Sequence, residues 1–186
     1  MKNLLITLTT AVFALSMVTV PARAGDEAVL AQLAKTKISL LDGIKQAERG
    51  KAVVISAKFE LDDNGKLSLS IYTAPQGLDV PAETNPLTEL SGDPTVTPFA
   101  PAAEVFADKE HIARASTHLA ILQLSEMSLT QIIKEAMEEQ EGTPYSVANP
   151  MIRDHRAVAD VFILNKQGKS VRVSVDVQNC DAQVRD

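Results

Sequence analysis

Apolar positions in this chain follow two rhythms, and each rhythm occurs twice. Leu40, Ile44 and Ala47 recur at helical spacing, as do Leu129, Ile132, Ile133 and Ala136, so each set predicts a helix with one apolar face. Ser39 and Ser128 stand at the expected N-caps, with Asp42 and Gln131 three residues on, and Met127 and Ile132 are placed as a hydrophobic staple. Asp42 also lies favourably at the positive end of its helix dipole. Residues 38–48 and 127–137 match at five of eleven positions, which predicts an internal repeat with equivalent buried helix faces.

After each helix the rhythm shortens to a period of two, the signature of strands. In the first copy it predicts strands over 52–61 and 67–73, joined by Asp62-Asp-Asn-Gly-Lys66, where Asn64-Gly65 is the hairpin signal. In the second copy a strand over 145–152 turns through 153–156 into one over 157–164. Phe162 and Leu164 then lead through Asn165-Lys-Gln-Gly-Lys169 to Val171, Val173, Val175 and Val177, with Ser170, Arg172, Ser174 and Asp176 facing the other way. Keeping the two alternations in phase requires the second turn to be one residue longer than the first. The first copy's third strand is expected to be lost or displaced into the segment that follows. Leu40, Ile44 and Phe59 are the expected counterparts of Leu129, Ile133 and Phe162, all six in the core, where truncating either phenylalanine to Ala costs ~3–5 kcal/mol.

Residues 74–101 hold six of the chain's nine prolines and are expected to be a long loop and a candidate partner surface. A helix over about 108–124, with Ile112, Ala115, Leu119 and Leu122 as its stripe, connects the copies. Ahead of all this, Lys2, an apolar run over 4–20, Pro21 and Ala22-Arg-Ala24 form the pattern of a secretory signal, with a mature N-terminus at or within two residues of Gly25. The run is barely long enough to span a bilayer and contains five hydroxylated residues, so cleavage is favoured over an uncleaved anchor and the mature form is expected not to be membrane-embedded. The expected organisation is α+β: signal peptide 1–24, first repeat plus Pro-rich loop 25–101, connector helix 102–126 and second repeat 127–186.

Charge narrows the partners. The chain carries 18 Lys and Arg against 24 Asp and Glu; losing Lys2 and Arg23 with the signal leaves 16 against 24, a net −8. Such a chain is a poor fit for nucleic acid, which demands a cationic face. Cys180 is the single cysteine and cannot pair within the chain; a buried apolar thiol is favoured over an intermolecular disulfide.

Candidate chemistry reduces to ordinary structure. His111 and His118 share a face of the connector helix near Asp108 and Arg114. Their seven-residue separation is not the three or four of a helical metal pair, and Arg114 would repel a cation, so solvated or interlobe histidines are expected and no metal site. His155 falls in a turn. Ser39 and Ser128 are caps rather than nucleophiles, having no base placed beside them. Glu135, Glu138, Glu139 and Glu141 read as a solvated helix end, and Asp62-Asp63-Asn64-Gly65 as turn chemistry without the distal Glu of a calcium loop. No catalytic residue, cofactor or metal ligand is expected.

The helix over 38–48 followed by Gly50-Lys-Ala-Val-Val-Ile-Ser-Ala-Lys-Phe-Glu-Leu-Asp-Asp-Asn-Gly65 resembles the PepSY domain family, and the second copy, ending in Gly168-Lys-Ser-Val-Arg-Val-Ser-Val-Asp176, resembles a second such unit. Together they cover somewhat over half of the mature chain. The resemblance implies an antiparallel sheet wrapped on a helix, and a periplasmic or secreted, non-enzymatic role. That role would be binding or regulation, such as restraining a peptidase or engaging another exported protein through the Pro-rich loop or a sheet edge. The rival expectation is a carrier of a small ligand or metal, or a cryptic enzyme, using a cleft between the two repeats.

Overall fold

A computed structural model describes residues 24–81, 84–125, 127–153, 155–179 and 181–185. The expected signal peptide, except Ala24, and Cys180 lie outside these residues. Four helices and eight strands follow in the order α1 (Ala24–Leu33), α2 (Leu40–Ala47), β1 (Val53–Leu61), β2 (Leu67–Ala74), β3 (Thr88–Gly92), β4 (Ala102–Val105), α3 (Lys109–Gln123), α4 (Leu129–Glu139), β5 (Thr143–Arg153), β6 (Arg156–Leu164), β7 (Ser170–Asp176) and β8 (Asp181–Arg185). The class is α+β, with one antiparallel sheet ordered β4-β3-β2-β1-β5-β6-β7-β8. A helix followed by a four-strand meander thus occurs twice, and the first strands of the two meanders, β1 and β5, join at the centre through Ala57 opposite Val147 and Lys58 opposite Ser146.

The capped helices form as their sequences require. Ser39 Oγ accepts the Asp42 amide at 3.1 Å, and Ser128 Oγ accepts the Gln131 amide at 3.3 Å while Gln131 Oε1 accepts the Ser128 amide at 2.8 Å, a complete capping box. Leu40 and Ile44 of α2 and Leu129, Ile132 and Ile133 of α4 are buried in one core with Leu69, Ile71, Val161, Ile163 and Val173 of the sheet. Gly43 lets α2 lie close on β2: a Cβ there would stand 2.6 Å from Leu69 Cδ2. The opposite face of the sheet carries α3, packed over β5 and β1.

Several expectations need correction. The turns at 62–66 and 165–169 are equal in length, not offset by one. In each, the first side chain accepts two backbone amides (Asn64 and Lys66 onto Asp62 Oδ1, at 2.9 and 2.8 Å; Gln167 and Lys169 onto Asn165 Oδ1, at 3.0 and 2.9 Å), and the fourth residue, Gly65 or Gly168, has φ of 73° or 74°. What differs is their place: the first joins β1 to β2, the second joins β6 to β7. Phe59 pairs with Leu69 on the side of α2, whereas its expected counterpart Phe162 pairs with Arg172 on the far face and is half-buried rather than in the core. The phase shift is absorbed by turning the hairpin over, not by an extra residue.

The segment 74–101 is not one loop. It contains β3, paired to β2, and is pinned by buried Leu87 and Phe99 and by buried Asn85, whose side chain donates to Gly77 O at 2.9 Å and accepts from the Gln76 amide at 3.3 Å. The span 102–126 is likewise not all helix, since β4 precedes α3. The sequence analysis also missed α1, which has no capped amphipathic pattern but buries Val29 and Leu33, and β8.

Candidate functional site

The strands' second face is polar, and α3 lies across part of it, against β5 and β1. Rows of cross-strand neighbours run through it: Lys58, Ser146, Phe162 and Arg172 in one, Asp160 and Ser174 in the next. Between this surface and α3, with Asp26 and Val29 of α1 at its margin, lies a cleft of about 800 Å³ that straddles the β1–β5 junction. That volume falls within the ordinary range of small-molecule sites.

Helix α3 presents His111, Arg114, Ala115 and His118 to the cleft, a stripe set by its 3.6-residue turn. Asp108 is the N-cap, accepting the His111 amide at 2.9 Å, and its other oxygen lies 2.6 Å from His111 Nδ1. These contacts, the amide first, hold the Asp108 carboxyl below its ordinary value. His111 stacks on Phe106 at 5.5 Å between centroids, and Phe106 on Tyr72 at 5.4 Å. His118 is 7% exposed and makes no hydrogen bond among the described residues. Burial, then the Arg114 charge, lowers its pKa to about 4, so the imidazole is neutral at neutral pH.

On the sheet side the charges are largely paired. Lys58 meets Glu60 and sits 5.8 Å over the Tyr72 ring. Buried Asp160 accepts from Ser174 Oγ at 2.5 Å and from Arg153 Nη2 at 3.3 Å, and Arg153 Nη1 also reaches Ser174 Oγ at 3.2 Å. Tyr145 exchanges a 2.7 Å hydrogen bond with Ser170 Oγ and packs against Phe162 at 6.2 Å. Burial raises the phenols of Tyr72 and Tyr145, so both remain protonated donors. Arg114, by contrast, forms no ion pair or hydrogen bond among the described residues.

His111 and His118 both line the cleft with Arg114 between them, the first exposed and the second buried. Among the described residues no three His, Cys, Asp or Glu side chains gather as a ligand set. His155 occupies the β5–β6 turn, exposed, with φ of 64°. Ser39 and Ser128 are caps. Glu138 and Glu139 are exposed, Glu135 is half-buried, and Glu141 pairs with Lys166. Sequence reasoning missed Tyr72, Tyr145, Arg153, Asp160 and Arg172 as cleft residues. The signal available was the polar half of each strand's alternation, which reads as a solvent face unless the position of α3 is known.

Among the described residues no helix is long and apolar enough to cross a membrane. No family model matches the chain, and no curated protein matches it. Among solved structures, a candidate lipoprotein of Clostridium difficile 630 is similar at 16% identity and a TM-score of 0.39, over 81% of this chain and 93% of that one.

Proposed function

We propose that this chain is an exported, non-enzymatic binding module that receives its ligand in the cleft beneath α3. The observation that carries this reading is the cleft itself: it combines size, a mixed aromatic and polar lining, and an imidazole that makes no hydrogen bond among the described residues. The reading keeps the export expectation from residues 1–24 and takes the two helix-and-meander units as PepSY-like repeats whose joined sheets form the floor. It places the ligand between the repeats rather than on the Pro-rich segment, whose buried Asn85, Leu87 and Phe99 tie it to the body.

Amide chemical-shift mapping of the mature chain against a metabolite extract tests this. Perturbations centred on Ser56, Lys58, Ser146 and Arg172 are expected; perturbations confined elsewhere would overturn it.

A second reading, capture or restraint of an exported protein such as a peptidase, is favoured by β4, which among the described residues pairs only with β3 and whose four residues are all exposed. Against it stand the strand's shortness and Glu104. A proline at Ala103 that abolished capture of a partner would favour the edge over the cleft.

A further inference from the structure

We infer that the cleft takes an amphipathic organic anion: an acyl or aryl body ending in a single carboxylate or phosphate, with the head against Arg114 and His118. This rests on the cleft-binding reading above and specifies the chemistry of its ligand.

The inference follows from which groups are already engaged. Lys58 is matched by Glu60, and Arg153 by Asp160 and Ser174. Arg114 has no such match among the described residues, and it lies one helical turn before His118 on the same face. A guanidinium offers a planar fork suited to carboxylate or phosphate oxygens. His118 supplies the second, independent indication. The residue is 7% exposed and lines the cleft, and its ring nitrogens, neither hydrogen-bonded among the described residues nor sealed from solvent, are open to whatever occupies it. As a neutral ring it can donate one hydrogen bond to an anionic oxygen, which would satisfy it.

Alternative ligand classes meet specific obstacles. A cation would face Arg114, and a fully apolar ligand would offer no acceptor to either His118 or the exposed Arg114. The body of the ligand has a place, since Tyr145 and Phe162 offer aromatic surface on the sheet side. Tyr145 and Tyr72 keep their hydroxyls protonated, so neither repels the head.

The chain contains no tryptophan, so Phe162→Trp places its sole indole in the cleft as a reporter. Four probes of one chain length are titrated below their aggregation limits: decanoate, monodecyl phosphate, decanol and decylamine. Thermal shifts of the unaltered chain with the same probes guard against an effect of the reporter. Saturable emission changes are expected for one or both anions, which also separates a carboxylate from a phosphate head. Decanol should bind at least ~10-fold more weakly, the scale of one charge-assisted hydrogen bond. Arg114→Gln, at an exposed position, should weaken the anions about tenfold and leave decanol unchanged. If decanol or decylamine binds as well as the anions, or if Arg114→Gln changes nothing, the anion assignment fails while the cleft stands as a binding site. If no probe of any charge moves the reporter or the melting temperature, the inference fails. The cleft reading then falls as well if shift mapping also finds no ligand there.

Discussion

At the scale of single residues, His118 links the cleft to the stability of the fold. In the folded chain its pKa is about 4, against 6.5 for an unperturbed histidine, with burial as the main cause. Between those values the unfolded chain binds a proton that the folded chain excludes. The stabilisation is therefore fully present above about pH 6.5 and is lost as pH falls towards about 4, by up to about 3 kcal/mol. Urea unfolding at pH 7.5 and pH 4.5 should show this slope, and His118→Gln should remove much of it. An unchanged slope in the variant would mean that other groups govern the acid limb. That His118 and His111 share a helix face was legible from their seven-residue spacing. That His118 is buried was not, because burial depends on β5 and β1, which are distant in sequence, lying beneath α3.

At the scale of elements, local chemistry was legible wherever it is self-contained. Ser39 and Ser128 cap their helices because an oxygen there meets an orphan amide whatever the rest of the chain does. Asp62 and Asn165 organise their turns for a similar reason. The error lay in treating like turns as like positions. An Asx-to-Gly turn specifies a hairpin, yet it does not say which face of the hairpin meets the core, and here the two hairpins present opposite faces. The contrast is measurable. Phe59, 5% exposed and on the α2 side, should cost ~3–5 kcal/mol when truncated to Ala. Half-buried Phe162 should cost distinctly less, about 1–2 kcal/mol, because its cavity opens onto the cleft and can fill with solvent. Equal costs from chemical denaturation would restore the core assignment of Phe162.

At the scale of the whole molecule, the decisive feature is where the two meanders meet. β1 and β5 share a short register, Ala57 with Val147 and Lys58 with Ser146, whereas the hairpins on either side pair along most of their length. Nothing in the sequence marks this junction, since pairing between strands some ninety residues apart leaves no local motif, and for the same reason the extent of the sheet was not foreseen. The junction is nonetheless covered on both sides. α2 and α4 touch each other beneath it and bury Leu40, Ile44, Ile132 and Ile133 in one continuous core, and α3 crosses above it from β1 to β5. A core shared in this way should not come apart half by half. Calorimetry of residues 25–186 is therefore expected to give one transition, with calorimetric and van't Hoff enthalpies equal. Because the cleft straddles the junction, an occupant that binds only the folded chain should raise the temperature of that single transition, by mass action at about 2.7 kcal/mol for ligand at a hundred times its Kd. Two resolved transitions, with the ligand moving one and not the other, would instead show that the short β1–β5 register is the mechanical boundary of two independently stable units and that the cleft belongs to one of them.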